Sequence, residues 1–264
     1  MTQESIIRIL ASQGILATMI LLEYFFPLRN TIKSRGQRWL KNFGLGFGNV
    51  MLIRFTVGAI AYDSAVLFQS NGWGLMNLYE NQSLFFNFVT FLITFMLLDM
   101  AIYFQHRFSH IVPFLWKFHK VHHTDLEFDV STAVRFHPLE IFLSMVYKLI
   151  IILFIGANPF AVLVFEIALN AGSTFNHSNV RIPNILEKFI RYFIVTPDMH
   201  RIHHSVLVRE TNSNYSFFLS IWDRIFSTYV QKAENPQETM LIGLESPRKE
   251  LSFGRILQLP FLEK

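Results

Sequence analysis

One apolar run constrains the fold of this chain more than any other feature. It reads LFFNFVTFLITFMLLDMAIYF, from Leu84 to Phe104, and a helix of about 20 residues crosses the roughly 30 Å of hydrocarbon in a bilayer. Lipid offers the backbone no hydrogen-bond partners, so a spanning segment of this length and uniformity is a helix. The composition agrees, because 52% of the residues are hydrophobic and only 16% are charged, against about a quarter charged in soluble domains.

Further apolar runs surround this one. They lie at about Ile6–Phe26, at about Phe43–Phe68, and at 139–155 and 160–175 on either side of a GANP turn. The first run continues into LLEYFFP without a cleavage site, so we expect an uncleaved spanning helix. The last two are near the lower length limit and either cross fully or form a hairpin. The sequence thus predicts an all-α integral membrane bundle of about four to five membrane helices or hairpin arms.

The distribution of basic residues predicts the orientation. Five of them follow the first run, namely Arg29, Lys33, Arg35, Arg38 and Lys41, whereas the segment after the second run has no Lys or Arg. An excess of Lys and Arg marks cytoplasmic loops. We therefore expect a multi-pass protein whose polar regions form a helical cap on the cytoplasmic face of a bacterial inner membrane, or of the endoplasmic reticulum in a eukaryote.

Histidines are the most informative polar residues. Eight of the ten fall into three clusters on the predicted cytoplasmic side: HRFSH gives His106 and His110, HKVHH gives His119, His122 and His123, and HRIHH gives His200, His203 and His204. Positions i, i+3 and i+4 share one face of a helix. Eight clustered imidazolium cations would repel one another, whereas neutral imidazoles around a metal avoid that repulsion. The sequence therefore predicts a poly-histidine site for two metal ions.

Five further residues are candidates for roles around this site. His177 follows the fifth run directly and is a ninth candidate ligand. Asp99 and Asp125 are candidates for orienting ligating histidines, as carboxylates beside metal sites do. His137 precedes Pro138 and either supports the site or starts a helix. Asp198, in TPD, is expected to lie in the first turn of a helix capped by Thr196, with Pro197 at its first position.

The chemistry of the ligands narrows the choice of metal. The chain has no cysteine, which excludes thiolate sites, and imidazole suits iron, zinc, copper and nickel. A redox pair that activates dioxygen fits better than two closed structural zinc sites. Zinc binds such ligands more tightly than ferrous iron, so zinc in an overproduced sample would not identify the native metal.

The histidine clusters resemble a known family. HRFSH, LWKFHKVHH and HRIHH are similar to the three histidine boxes of the sterol desaturase and fatty acid hydroxylase superfamily. TAVRFHPLE, NHSN and NYSFFLSIWDRIFSTY resemble segments of its bacterial members, and the likeness covers roughly residues 80 to 230. The resemblance implies a membrane-bound di-iron oxidase that uses dioxygen and two electrons to hydroxylate or desaturate an unactivated C–H position of a lipid. Sterols, fatty acyl chains, ether lipids and carotenoids all remain open as substrates.

The resemblance carries two further implications. Electrons would come from a separate donor protein, because the fused haem domain of some relatives is absent from this sequence. Some relatives also carry a further H-x-x-x-H before the last box, where this chain has His177 and, four residues earlier, Ser173. One metal would therefore have fewer nitrogen ligands, or an oxygen ligand or water would take the position.

A single domain over residues 1–264 is the expected organisation. Membrane helices would occupy 1–80, the histidine-box catalytic core 81–230 and a tail 231–264, whose apolar end either lies on the membrane or packs as a helix. A nucleic-acid partner is not expected, since the basic residues form no long stripe. The main alternative is a membrane metal-binding or transport protein, which would place ligands near the bilayer midplane rather than at one face. A degenerate scaffold is disfavoured by the complete set of boxes.

Overall fold

A computed structural model describes residues 3–30, 35–57, 61–78, 83–246 and 248–262. Within these ranges the chain forms twelve α-helices and two short 3₁₀ helices, at Leu75–Leu78 and Thr132–Val134. The α-helices are α1 (Gln3–Phe25), α2 (Arg35–Thr56), α3 (Ala61–Ser70), α4 (Leu84–Ile111), α5 (Pro113–His123), α6 (Pro138–Ile155), α7 (Pro159–Asn176), α8 (Asn184–Phe193), α9 (Pro197–His203), α10 (Val208–Thr211), α11 (Ile221–Ile225) and α12 (Phe253–Leu262). Extended backbone in the described ranges pairs only as isolated bridges. The predicted all-α class is confirmed.

Four segments of the described chain are long and apolar enough to cross a membrane. They are α1, the Arg35–Leu78 segment that contains α2 and α3, α4, and α6. Helix α7, the fifth predicted run, packs against α1, α3 and α4. The core between these helices is apolar, with Leu98 and Ile102 of α4 against Ile152 of α6 and Phe165 of α7. The chain is a multi-pass membrane protein.

The turn between α6 and α7 shows how the sequence ends one helix and begins the next. Helix α6 ends at Gly156, whose φ of 70° is left-handed, and the Asn158 side chain then caps α7 by accepting a hydrogen bond from the Ala161 N–H. Gly74 packs directly onto this turn, and a Cβ atom added to Gly74 would lie 2.3 Å from the Gly156 Cα. Only glycine fits at this close approach of two backbones.

Helix α4 is longer than its apolar run. Its 28 residues measure about 42 Å at 1.5 Å per residue, which exceeds the roughly 30 Å of hydrocarbon. The extension beyond Phe104 is the part that carries His106 and His110. The C-terminal turns of α4 therefore deliver their histidines to the end of the bundle where the cap begins.

The basic segment after α1 is not the simple loop that the sequence suggested. Arg35, Arg38 and Lys41 lie within α2, while Lys33 lies outside the described residues. Arg38 is only 1% exposed, and its guanidinium donates hydrogen bonds to the carboxylates of Asp125 and Asp129. The sequence could not show this, because the two acids lie almost ninety residues away in the chain.

The C-terminal tail packs onto the cap. Ile242 forms an isolated bridge with Ser205, and the Gly243 N–H donates to the His204 carbonyl at 2.9 Å. Helix α12 then buries Ile256 and Leu259 against α2 and α5. Of the two alternatives for the tail, packing as a helix is the one that the structure shows.

The Arg38 ion pairs lead to a prediction about stability. Replacing Arg38 with Met removes the guanidinium that donates to two buried carboxylates, and we expect the free energy of unfolding to fall by about 3–5 kcal/mol. The matched control is Arg209→Met, which removes an exposed pair with Glu234 and costs at most about 1 kcal/mol. Titration of mixed detergent micelles with sodium dodecyl sulfate measures both, and equal stabilities for the two variants would contradict the prediction.

Candidate metal centre

The structure brings the nine candidate histidines together as two groups. The five-histidine group consists of His106, His110, His119, His123 and His203, and the four-histidine group consists of His122, His177, His200 and His204. Within each group every residue offers one ring nitrogen, and these nitrogens all lie within 4.8 Å of one another. Ring centroids of His123 and His204, one from each group, are 4.5 Å apart, so the two groups are contiguous.

The repeated H-x-x-H-H spacing distributes ligands between the two groups. On α5, the i and i+4 residues His119 and His123 join the five-histidine group, while His122 at i+3 joins the other. On α9 and its C-cap the assignment is reversed, because His200 and His204 join the four-histidine group and His203 joins the five-histidine group. Each helix thus contributes two nitrogens to one group and one to the other. The spacing allows this because, at 3.6 residues per turn, i+4 lies about 40° to one side of i around the helix and i+3 about 60° to the other side.

Backbone carbonyls fix the orientation of three imidazoles. In each case a ring Nδ1 lies 2.7–2.8 Å from a carbonyl oxygen: His106 at Tyr215, His177 at Ser173 and His203 at Ser213. A carbonyl oxygen only accepts, so each Nδ1 carries the proton and each Nε2 keeps a lone pair. The three Nε2 atoms are therefore available as metal ligands.

The contacts around His177 test whether an ion fits. Its Nε2 lies 3.1 Å from the Nε2 of His122 and 3.0 Å from that of His200. Because Nδ1 of His177 holds the proton, Nε2 offers a single lone pair, which cannot accept two well-aligned hydrogen bonds. Two nitrogens bound at right angles to one ion, each about 2.1 Å from it, lie about 3.0 Å apart. The three nitrogens fit ligation of a shared ion better than hydrogen bonding to one another.

The five-histidine group also contains buried ring nitrogens that lack a hydrogen-bond partner among the described residues. The Nε2 atoms of His106, His119 and His203 and both ring nitrogens of His123 are buried and have no hydrogen-bond partner among the described residues. An unsatisfied buried polar group costs about 1–3 kcal/mol. Several such atoms facing one volume fit a bound cation, and the histidine groups form a candidate metal site.

Burial keeps these imidazoles in the form that binds metals. It lowers the pKa of His177 to about 4 and that of His203 to about 3. Burial also lowers the pKa of His122, His123, His200 and His204 well below the usual value, with neighbouring histidines adding to the effect. The rings are neutral at pH 7, and a neutral ring nitrogen is the ligand form of histidine.

Asp99 does not contact a histidine in this structure. Its carboxylate accepts hydrogen bonds from the Trp222 indole at 2.7 Å and from the Leu219 N–H at 3.1 Å. Seven residues separate Asp99 from His106, which is about 10 Å along a helix, so the shared face does not bring the two groups into contact. Asp99 instead holds the segment around residues 219–222 against α4.

Asp125 anchors the loop after α5 instead of holding a ring. Its carboxylate accepts from Arg38 at 2.8 Å, from Asn42 at 3.0 Å and from the Thr132 hydroxyl at 2.9 Å. Burial opposes ionisation of Asp125, but the guanidiniums of Arg38 and Arg135 outweigh it and lower the pKa. The loop that follows His123 is thereby fixed to α2.

Glu140 is the carboxylate that does hold a ring, and the sequence analysis missed it. Its Oε1 lies 2.5 Å from Nδ1 of His119. The sequence gives only a weak signal of this contact, because an acidic residue in the first turn of α6 is explained by the helix dipole alone. The contact exists because α5 and α6 pack together.

The two remaining candidates act at helix starts. The Thr196 hydroxyl caps α9 by accepting from the Met199 N–H, with Pro197 at the first position, as predicted for the TPD segment that contains Asp198. The His137 ring caps α6 by accepting from the Leu139 N–H. His137 belongs to neither histidine group, so helix entry is the role that the structure shows.

A comparison with protein families identifies the class of this fold and site. The model of the fatty acid hydroxylase family matches residues 91–228, just over half of the chain. The matched region contains all nine grouped histidines. The chain belongs to the fatty acid hydroxylase family.

Similar curated proteins are named as lipid-modifying enzymes. Human alkylglycerol monooxygenase is 33% identical over 56% of this chain and 32% of its own. An ornithine lipid hydroxylase of Rhizobium tropici is 30% identical over 50% of this chain and 39% of its own. Sphinganine C4-monooxygenase 2 of Arabidopsis thaliana is 29% identical over 53% of this chain and 54% of its own. The chain spans about a third of the length of the alkylglycerol monooxygenases it matches, and no solved structure matches it.

The Glu140–His119 contact leads to a prediction about metal affinity. Glu140→Gln removes the charge that orients and polarises the His119 ring, and we expect metal affinity to fall by about 10–100-fold. Glu245→Gln, at an exposed carboxylate, is the control. Competition with a chromophoric chelator measures both affinities, and unchanged binding by Glu140→Gln would count against an orienting role.

The lowered pKa values predict how the metal-free protein responds to acid. The unfolded chain takes up protons on histidine below its usual pKa of about 6.5, whereas His177 and His203 in the folded chain do so only near pH 4 and pH 3. The stability they contribute is present above pH 6.5 and is lost as the pH falls, by up to about 1.4 kcal/mol per unit for each histidine. Asp223, whose pKa burial raises, has the opposite effect.

We therefore expect the unfolding temperature of metal-free protein in detergent, followed by tryptophan fluorescence, to drop between pH 7.5 and pH 5. His203→Phe should make that drop shallower, because it removes one of the titrating groups. A transition temperature that rises or stays constant over this range would contradict the predicted protonation states.

Proposed function

We propose that this protein is a membrane-bound di-iron oxidase that uses dioxygen to hydroxylate an unactivated C–H position of a lipid. The observation that carries the proposal is the division of nine buried imidazoles into contiguous groups of five and four. Two groups of ring nitrogens support two ions, one in each group. The membrane helices support a lipid as the substrate.

Hydroxylation is favoured over desaturation. The similar proteins act, by their names, as an alkylglycerol monooxygenase, an ornithine lipid hydroxylase and a sphinganine monooxygenase. Each of these names denotes insertion of oxygen into a lipid. Their headgroups differ, so they support a lipid chain as the shared feature and do not select one substrate.

Iron is the metal that we assign to the two groups. Imidazole nitrogens suit iron, zinc and copper. Zinc has no redox chemistry, and of the two metals that activate dioxygen iron is the one that the resemblance to the histidine-box oxidases implies. The nine ligands would be His106, His110, His119, His123 and His203 for one ion and His122, His177, His200 and His204 for the other. In the second group, the position that a tenth imidazole could take corresponds to Ser173, so water or another oxygen ligand would complete that group.

The surrounding residues hold the ligands and keep water away from them. The Phe136 ring stacks on His122 at 4.4 Å, and the Phe217 ring lies 5.1 Å from His106. Glu140 holds the proton on Nδ1 of His119, and the carbonyl of Tyr215 does the same for His106. These contacts fix the rings before a substrate arrives, which is the preorganisation that a redox metal site needs.

Orientation and electron supply complete the proposal. The histidines lie at the end of the bundle that carries Arg29, Arg35 and Lys41, and an excess of such residues marks the cytoplasmic side. We therefore place the metal centre on the cytoplasmic face. A separate electron-transfer protein would supply the two electrons.

The alternative function is binding or transport of a metal without oxidation. A transporter places its ligands along a path near the bilayer midplane. Here the ligands come from the C-terminal turns of α4 and α7 and from α5 and α9, at one end of the bundle. That arrangement supports a fixed centre over a transport path.

The decisive experiment compares lipid extracts from cells that express the protein or its variants under oxygen-18 gas. We expect one lipid class to gain a single labelled oxygen atom. His122→Ala and His203→Ala each remove a ligand from a different group, and product should fall by at least about 100-fold, more than the loss of a supporting residue causes. Mass spectrometry of the lipids and membrane levels of the protein are the readouts.

The matched control is His137→Asn, because asparagine also caps helices and His137 belongs to neither group. It should retain most of the product. Lipids that gain no labelled oxygen, in cells that contain folded and metal-loaded protein, would overturn the oxidase proposal. Loss of two hydrogens from a lipid would indicate desaturation.

A further inference from the structure

Helix α8 presents its apolar side outward. Its sequence is NILEKFIRYF, and Ile185, Phe189 and Tyr192 are 88%, 65% and 69% exposed. Leu186 and Phe193 on the same side are also exposed. A helix on the surface of a soluble domain turns such a face toward the core. Here the outward-facing residues, which we call the α8 apolar face (Ile185, Leu186, Phe189, Tyr192 and Phe193), are left uncovered by the described part of the chain.

The polar side of α8 is buried and fully engaged. Glu187 and Arg191 form an ion pair at 2.5 Å, the Thr196 hydroxyl donates to Glu187 at 2.6 Å, and Arg191 donates to the Gln231 carbonyl at 2.6 Å. Rolling α8 to bury its apolar face would break these bonds and leave a buried charge unpaired. The orientation of the helix is therefore set by the protein.

The start of α8 is fixed to the end of α1. Val180 forms a bridge with Pro27, and the Arg181 N–H donates to the Phe26 carbonyl at 2.8 Å. Phe25 and Phe26 are themselves well exposed. Their rings continue the apolar surface of a membrane helix up to the first turn of α8.

The end of α8 is fixed beside the apolar part of α4. The Ser220 N–H donates to the Phe193 carbonyl, and Ile194 forms a bridge with Leu219. The Leu219 N–H in turn donates to Asp99 on α4. Asp99 lies about 22 Å along α4 from Leu84 at 1.5 Å per residue, which is within the roughly 30 Å of hydrocarbon. The C-terminal end of α8 therefore lies at the level of the lipid chains.

From these contacts we infer that α8 is an interfacial membrane helix. The α8 apolar face inserts among the acyl chains of the leaflet on the metal-centre side. The partner of this face is therefore the lipid bilayer. Lys188, three residues after Ile185 and four before Tyr192, is exposed at the edge of this face. A lysine at that position extends its ammonium to headgroup phosphates while its stem follows the apolar surface. The inference concerns membrane contact and holds whatever reaction the metal centre performs.

This placement brings the bilayer close to the histidines. Residues 193–195 run beside residues 218–220, and the neighbouring Phe217 ring lies 5.1 Å from the His106 ring and 5.9 Å from the His200 ring. A lipid chain in contact with α8 is thus separated from the metal centre by the segment around Phe217.

Spin labelling tests the inference directly, because the natural chain has no cysteine and each single-cysteine variant carries one label. The α8 variants are Ile185→Cys and Phe189→Cys, with Tyr192→Cys as a further position if either one aggregates. Leu92→Cys, exposed on the apolar part of α4, is the bilayer reference. Arg209→Cys, whose native side chain is 76% exposed, is the aqueous reference. All are reconstituted in vesicles of phosphatidylcholine and phosphatidylglycerol.

The measurement is the collision rate of each label with oxygen and with a water-soluble nickel chelate. For the α8 labels we expect an oxygen-to-nickel ratio within about twofold of that at Leu92 and about tenfold above that at Arg209, because an interfacial helix buries its apolar face at the boundary of the acyl chains. A ratio equal to that at Arg209 would overturn the inference. Low accessibility to both reagents, with dipolar broadening that disappears on dilution with unlabelled protein, would assign the face to a second copy of the chain and overturn it as well.

Discussion

The rest of the structure depends on the burial of nine imidazoles in one volume. Removed from water, these rings leave several nitrogens without a hydrogen-bond partner in the described chain. Burial lowers the pKa of His122, His200 and His204, so these three rings stay neutral and do not repel one another as cations. A metal ion bound between the rings would give these nitrogens the partner that they lack. The helices, caps and carbonyl contacts around the rings serve to hold this arrangement in place.

Helices α5 and α9 each contribute histidines to both of the adjacent histidine groups. Because α5 and α9 each divide their three histidines two to one, and in opposite senses, neither group can form without both helices. The two groups are therefore coupled through rigid helical turns and not through flexible loops. The ring centroids of His123 and His204 are 4.5 Å apart, and those of His106 and His203 are also 4.5 Å apart. These contacts require the ends of α4, α5 and α9 to meet. Contacts from α2, through Arg38, and from the tail, through Gly243, hold that meeting point together.

The bilayer imposes the second constraint, and it acts on the cap as well as on the spanning helices. Helix α4 is too long for the hydrocarbon layer, so its last turns carry histidines out of it, while α8 brings an apolar face back toward it. With α8 at the membrane interface as inferred above, the histidine groups lie between a polar cap and an apolar segment around Phe217 that faces the lipid. For the proposed lipid oxidase, this position would let a lipid chain approach the histidines from within the membrane.

The sequence by itself determined the helical class, the membrane runs and the nine grouped histidines, because length, apolar content and i, i+3, i+4 spacing are local properties of the chain. It also determined the cap at Thr196, whose partner lies within a few residues, and the position of the GANP turn. Only the tertiary structure decided which histidine joins which group, that Glu140 rather than Asp99 holds a ring, and that Arg38 is a buried counter-ion. Those contacts join residues from different helices, and their distances depend on how the helices pack, which no local pattern encodes.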